Sequence, residues 1–67
     1  MYEAQLSILS VDGMVYGCQG SDRQKLREFL LDHDHEGSSI HLTVRWTPER
    51  FEIIDDGERI YKELGCE

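Results

Sequence analysis

The stretch SDRQKLREFLLDHDHEG, residues 21–37, has the residue spacing of one amphipathic helix. Four side chains recur at intervals of three and four residues and so share one helical face: Leu26, Phe29, Leu30 and His33. Ser21 and Gln24 have the spacing of a capping box, and Asp22 suits the positive first turn. Gly37 is the expected stop in a left-handed conformation. The stretch therefore predicts a helix that covers an apolar surface.

Two antiparallel strands are predicted before this helix. YEAQLSIL (2–9) alternates in polarity, and MVYGCQ (14–19) is the returning strand. Asp12-Gly13 between them predicts a two-residue hairpin turn, because both residue types tolerate positive φ. Such a turn leaves two alternatives for the buried face. One face comprises Leu9, Val11, Met14 and Tyr16, and the other comprises Leu6, Ile8 and Val15.

The chain after the helix predicts an antiparallel meander. Its strands are SIHLTVRW (39–46), FEIID (51–55) and ERIYKEL (58–64), and its turns are TPER (47–50) and Asp56-Gly57. Counting residues across the turns puts Val44 opposite Ile53 and Trp46 opposite Phe51. The same count puts Ile53 opposite Ile60. These side chains then share one apolar face, which predicts a surface for the helix to cover.

The element order is thus β-β-α-β-β-β, and the predicted fold class is α+β, with one helix packed on the apolar face of an antiparallel sheet. The 67 residues predict a single domain, 1–67, near the lower size limit for a chain with one core. A separate catalytic cleft would consume much of that core. The length therefore favours a non-enzymatic binding module, inhibitor or small subunit.

Charge is the main global feature of the sequence. Fourteen Asp and Glu against seven Lys and Arg give a formal net charge of -7. Such a chain repels nucleic acid and anionic membranes and attracts basic partners. The charge therefore predicts neither direct nucleic-acid binding nor membrane binding. The alternative is that the acidic excess only keeps a small protein in solution.

Two acidic clusters are the predicted binding residues: Asp32, Asp34 and Glu36 near the end of the helix, and Asp55, Asp56 and Glu58 around the last turn. Acids at a helix C-terminus oppose the helix dipole, and Asp55 opposite Glu58 would be a like-charge pair. Such local costs tend to concentrate where function overrides stability. Fixed carboxylates can imitate phosphates and bind Arg and Lys of a partner.

Another predicted surface is the solvent-facing side of the meander, which carries Arg45, Ile54, Arg59 and Tyr61. Tyr and Arg are frequent at protein interfaces. Exposed strand edges can also pair across a two-fold axis. This surface therefore predicts, as the alternative, a small structural subunit or a homodimeric interaction module.

No metal, cofactor or catalytic residue is predicted. His33 and His35 would point about 200° apart on a helix, too far to chelate one ion. A site that used His35, Glu36 and His41 would need the last turn of the helix to unwind, and Cys18 lies in no nucleophile motif. A mini-domain with a metal or a catalytic thiol is therefore the third alternative.

The two cysteines, Cys18 and Cys66, lack metal-type spacing. The N-terminal MYEAQLSILS has neither a basic region nor a long apolar run, and no stretch approaches transmembrane length. These features predict a cytoplasmic protein with free thiols, although one disulfide that closes a long loop is the alternative.

In size, acidity and compact α+β layout the chain resembles the small phage-encoded inhibitors that imitate DNA, such as anti-restriction and anti-CRISPR proteins. The likeness covers the whole chain in composition and layout and includes no motif, so it assigns no role to a residue. It implies an inhibitor that occupies a basic, nucleic-acid-binding surface of a partner complex. If the chain is phage-encoded, the expected location is the host cytoplasm.

Overall fold

A computed structural model of the protein describes residues 2–45 and 50–66. Within these ranges the element order is β1–β2–α1–β3–β4–α2. The strands are β1 (Glu3–Leu9), β2 (Val15–Gly20), β3 (Ser39–Arg45) and β4 (Arg50–Ile54), and the helices are α1 (Arg23–His33) and α2 (Gly57–Glu63). The predicted α+β class, with a helix on an antiparallel sheet, is confirmed.

The strands form one antiparallel sheet in the order β2-β1-β3-β4. β1 pairs with β2 and β3, and β3 pairs with β4. Leu9 lies opposite both Val15 and Ser39, and Ile54 lies opposite His41. The end of β1, the start of β2, the start of β3 and the end of β4 therefore meet at one end of the sheet.

Both helices contribute to one hydrophobic core on a single face of the sheet. The buried members are Ala4, Leu6, Ile8, Leu26, Leu30, Ile40, Leu42, Val44, Ile53, Ile60 and Leu64. Within each strand these are alternate residues, because successive strand side chains point to opposite faces. We call the face that the two helices leave open the outer face. It carries Leu9, Val15 and Ile54, which are 47%, 68% and 65% exposed.

The β1–β2 turn decides which side chains of β2 are buried. Ser10 N donates to Met14 O at 2.8 Å, and Gly13 N donates to Ser10 O at 3.1 Å. With Gly13 at φ +89°, this is a three-residue loop of residues 11–13, so the predicted two-residue loop is wrong. One extra residue flips the partner strand. Val15 therefore shares the outer face with Leu9, and Tyr16 lies on the helix side of the sheet, with its ring centroid 4.7 Å from that of His33.

Helix α1 is shorter than predicted at both ends. Its N-cap is Asp22, not Ser21: the carboxylate accepts hydrogen bonds from the backbone N–H groups of Gln24 and Lys25 at 3.0 and 3.4 Å. The helix ends at His33 with Asp34 as C-cap, before Gly37. Beyond His33 no apolar residue continues the buried stripe. Gly37 does adopt the predicted left-handed conformation, but in the loop, at φ +89°.

The predicted last strand, 58–64, is wrong, since this segment forms helix α2. Asp56 caps it by accepting a hydrogen bond from Arg59 N at 3.3 Å. Ile60 and Leu64, four residues apart, are both fully buried. A helix brings residues with this spacing to one face, which here is the core face. Asp56-Gly57 therefore starts a helix, and Asp55 before it takes a positive φ of 53°.

The register between β3 and β4 differs from the prediction by two residues. Val44 lies opposite Phe51, and Leu42 lies opposite Ile53. A shift by two conserves the faces of both strands, so the apolar pattern alone cannot distinguish the two registers. Trp46 and residues 47–49 of the predicted TPER turn lie outside the described residues.

Candidate functional site

Seven carboxylates lie in or beside three connections that meet at one end of the sheet. The connections are residues 10–14, 34–38 and 55–56, which adjoin the strand ends that the sheet pairing brings together. We call the acidic end the set Asp12, Asp32, Asp34, Glu36, Asp55, Asp56 and Glu58. It contains all six predicted binding residues and half of the fourteen acids in the chain.

Asp12 is the member that the sequence reasoning missed. Asp12 was predicted as a residue of the β1–β2 turn. Only the pairing of β1 with β3 puts that turn beside the α1–β3 connection. Here a Cβ built on Gly37 would lie 2.5 Å from Val11 Cγ1, which shows how closely the two loops approach. The acidic end is therefore a property of the assembled sheet and not of one stretch of sequence.

Contacts fix two of the three connections to the rest of the fold. Asp55 N donates to Ile40 O at 2.6 Å and holds the β4–α2 connection against β3. The Tyr61 hydroxyl of α2 donates to Asp34 Oδ2 at 2.7 Å and joins that helix to the end of α1. The carboxylates are consequently held on a shared framework, which lowers the entropy cost of binding a partner.

Four acids of the acidic end also have local structural partners. Asp34 accepts the bond from Tyr61, and Asp56 caps α2. Glu58 forms an ion pair with Lys62 at 3.7 Å. Asp12 Oδ1 accepts hydrogen bonds from the Ser10 hydroxyl and from Met14 N. The acids with internal partners are thus Asp12, Asp34, Asp56 and Glu58.

The other three acids, Asp32, Glu36 and Asp55, are exposed. Within residues 2–45 and 50–66, none of their side chains takes part in an ion pair or a hydrogen bond. Their carboxylate oxygens are consequently available to a partner. Among the described residues, these three are the members of the acidic end whose side chains have no internal partner.

Most cations lie away from the acidic end. Arg45 and Arg50 face each other at the opposite end of the sheet, and Arg23 and Lys25 begin α1 just after β2 ends there. Among the described residues, α2 carries the cations near the acidic end, namely Arg59 and the paired Lys62. The protein is therefore electrically polarised along the strand direction.

Two pKa shifts follow from this geometry. The Ser10 hydroxyl and then the Met14 amide hold the pKa of Asp12 below its ordinary value, since both donate to the ionised carboxylate. Burial, then the hydrogen bond to Asp34 and its negative charge, raise the pKa of Tyr61 to about 12. Tyr61 thus remains a protonated donor at neutral pH.

The predicted sheet surface that carries Arg45, Ile54, Arg59 and Tyr61 does not exist as one face. Arg45 and Ile54 lie on the outer face, whereas Arg59 and Tyr61 belong to α2. Tyr61 packs against the core on the opposite side of the sheet. The prediction is wrong because it treated 58–64 as a strand.

The histidines occupy separate environments. His33 Nδ1 lies 3.0 Å from Phe29 O, and its ring stacks on Phe29 at a centroid distance of 4.2 Å. His35 is exposed, and His41 Nε2 on the outer face lies 3.8 Å from Glu52. In the described ranges no three His, Cys, Asp or Glu side chains are arranged to hold a metal ion.

Both cysteines are free thiols that pack against the core. Burial raises the pKa of Cys66, which disfavours the reactive thiolate at neutral pH. Contact with the core therefore indicates packing roles for the two cysteines.

Neither α1 nor α2 has the length and apolar character that crossing a bilayer requires.

The chain is thus a small α+β domain with one strongly acidic end. No protein-family model, curated protein or solved structure matches it.

Replacing Tyr61 with Phe tests the link between the helices. We expect a loss of about 1 kcal/mol in the free energy of unfolding at neutral pH, since the bond to a carboxylate is lost. The raised pKa favours the neutral phenol in the folded state. The stability that the Tyr61 hydroxyl contributes is therefore present below the unfolded-state pKa of about 10. It is lost as the pH rises toward about 12.

Urea unfolding between neutral and strongly alkaline pH measures this effect. Wild type loses stability through the alkaline range, and Tyr61→Phe shows a smaller loss. Tyr16→Phe is the control, because among the described residues the Tyr16 hydroxyl donates to no carboxylate. A Tyr61→Phe profile parallel to that of wild type would exclude the proposed role of this hydroxyl.

Proposed function

We propose that the protein is a small, acidic, non-enzymatic binding protein that occupies a basic, nucleic-acid-binding surface of a partner protein or complex. It acts as an inhibitor that imitates the phosphates of nucleic acid. The observation that carries the proposal is the gathering of seven of fourteen acids at one end of the sheet. Among the described residues, only Glu58 of these seven forms an ion pair with a cation.

The chemistry of the acidic end supports a basic partner. Carboxylates accept paired hydrogen bonds from Arg in the geometry that phosphates offer, and Lys binds both groups as a point charge. Asp32, Glu36 and Asp55 are exposed for such contacts. The net charge of -7 steers a basic surface toward the protein and repels nucleic acid. The proposed partner surface is therefore one that otherwise holds nucleic acid.

The compartment follows from this partner. A nucleic-acid-binding complex places the protein in the cytoplasm, which is that of the host if the chain is phage-encoded. The proposed activity is occlusion, which needs neither a cofactor nor a catalytic residue.

Isosteric neutralisation of the exposed acids is the test. One variant combines Asp32→Asn, Glu36→Gln and Asp55→Asn, where Asn suits the positive φ of Asp55. The matched control combines Glu3→Gln, Glu28→Gln and Glu52→Gln, which changes the net charge equally. Immobilised proteins are incubated with lysate of the native host, and the captured nucleic-acid-binding proteins are quantified.

We expect wild type and the control variant to capture the same nucleic-acid-binding proteins, and added duplex DNA to displace them. The acidic-end variant should retain less than about a tenth of that material, and capture should fall steeply with salt. Equal capture by the two variants, or capture that salt leaves unchanged, would contradict the proposal.

A small structural subunit or homodimeric module is the second candidate. The observation that favours it is the open outer face, on which Leu9, Val15 and Ile54 are exposed. β2 and β4 are also the edges of the sheet. For this candidate, sedimentation should show a stable oligomer, and neutralising the acidic end should leave the oligomer unchanged.

A further inference from the structure

The outer face has an uneven distribution of apolar side chains. Leu9, Val15 and Ile54 are its exposed large apolar residues, and all three stand in the rows nearest the acidic end. Toward the opposite end, the side chains that the structure describes on the outer face are polar or charged: Glu3, Gln5, Gln19, Thr43, Arg45, Arg50 and Glu52. A face made only for solvation would have no reason to concentrate its apolar area there.

These apolar residues border a shallow hollow of about 370 Å³. Leu9 and Val15 lie side by side on β1 and β2, and Ile54 lies two strands away on β4. The two strand spacings between β1 and β4 separate Leu9 from Ile54 across the sheet by roughly 10 Å. Asp55 and His41 also line the hollow. The hollow thus adjoins a carboxylate of the acidic end directly.

We propose that the acidic end and this hollow form one docking surface, which takes a segment of the partner protein that carries basic side chains beside two or three apolar ones. The inference rests on the proposed function, because the acidic end supplies the attraction. It adds that the contact is amphipathic and not purely ionic. Apolar side chains of the partner cover Leu9, Val15 and Ile54, and its Arg or Lys residues reach Asp55 and the neighbouring acids.

Charge complementarity selects this occupant over a second copy of the chain. The hollow lies at the acidic end, so two copies that cover each other's hollows bring two acidic ends together. Each end carries seven carboxylates, and like charges brought together in an interface are unfavourable. An anionic membrane is repelled in the same way. A basic, partly apolar protein segment satisfies both halves of the surface.

Two synthetic peptides of equal length and charge test the inference. One alternates Lys with Leu, and the other alternates Lys with Ser. Fluorescence anisotropy measures the dissociation constant of each from wild type at low salt. We expect the Lys–Leu peptide to bind at least about tenfold more tightly, because it buries apolar area that the Lys–Ser peptide lacks.

Variants locate the binding surface. Val15→Ser combined with Ile54→Ser should abolish the preference for the Lys–Leu peptide. Leu31→Ser is the matched control, since Leu31 is 57% exposed on α1, on the other side of the sheet, and this variant should keep the preference. All three substitutions are at exposed positions, and thermal unfolding verifies that each variant is folded.

The outcomes separate this inference from the proposed function. Salt-sensitive binding of both peptides with equal affinity overturns the amphipathic docking surface and leaves the proposed function standing. A preference lost equally in the Leu31→Ser control also overturns it. Failure of wild type to bind either peptide contradicts the proposed function itself. If sedimentation shows a dimer that Val15→Ser with Ile54→Ser dissociates, the hollow belongs to a second copy and the inference is wrong.

Discussion

Replacing Ile60 with Ala is expected to lower the free energy of unfolding by about 2–5 kcal/mol, the cost of losing a large, buried aliphatic side chain and leaving a cavity. Ile60 is fully buried and belongs to the single hydrophobic core. A domain of this size has only about 3–5 kcal/mol from one core, so the variant should be largely unfolded. Far-UV circular dichroism with urea titration measures the change.

The control for this prediction is the same substitution at an exposed isoleucine. Ile54 is 65% exposed on the outer face, and Ile54→Ala should change stability by no more than about 1 kcal/mol, within the range of strand propensity. The comparison tests whether α2 packs on the core. Equal losses in the two variants would mean that Ile60 does not hold α2 against the sheet.

Replacing Gly37 with Ala is expected to cost about 1–3 kcal/mol, which combines backbone strain with a steric clash. Gly37 has φ +89°, a conformation that side chains disfavour, and its new Cβ would lie 2.5 Å from Val11 Cγ1. Val11 is β-branched, so rotating its side chain away is costly. The substitution should also loosen the contact between two loops of the acidic end.

Gly13 provides the matched comparison. It has the same φ of +89°, and a Cβ there meets nothing within 4 Å, so Gly13→Ala reports the backbone strain alone. Val11→Ala combined with Gly37→Ala should recover stability toward the Gly13→Ala value. Urea unfolding of wild type, Val11→Ala, Gly37→Ala and the double variant gives the coupling between positions 11 and 37. A Gly37→Ala loss no larger than that of Gly13→Ala would show that the loops are not in tight contact.

The sequence was sufficient for elements whose signal is strong and local. The alternation in 39–46 predicted β3 and its buried face, and the stripe around Leu26 and Leu30 predicted α1. Boundaries were harder, because Ser21 and Asp22 are both good N-caps and their hydrogen-bond geometry decides between them. The fold class followed from these elements, since each has one apolar side that must be covered.

Segment 58–64 contained the helical signal that the prediction missed. Ile60 and Leu64 are four residues apart, which puts them on one face of a helix. In a strand, Lys62 would share their buried face, where lysine is rarely found. Asp56-Gly57 was interpreted as a hairpin, although Asp is equally suited to cap a helix. A short segment can satisfy both patterns, so its state depends on what it packs against.

The sequence indicated six of the seven acids of the acidic end as two separate clusters, but it indicated neither Asp12 nor the meeting of the two clusters at one end of the sheet. Asp12 and Asp55 are 43 positions apart in the sequence, and only the strand order β2-β1-β3-β4 brings their connections to one end. The exposure of Val15 beside Leu9 was also missed. That exposure depends on the length of the β1–β2 loop, which is one residue longer than predicted.

By itself the sequence determined the charge, helix α1, the apolar face of β3 and thus the α+β class, because each depends on residues that are close along the chain. Only the tertiary structure decided that 57–63 is a helix and which side chains of β2 lie on the outer face. It also decided that three acidic connections meet beside the apolar hollow. The reason is physical: strand pairing and core burial act between distant segments, and several local patterns are compatible with each segment until its neighbours are in place.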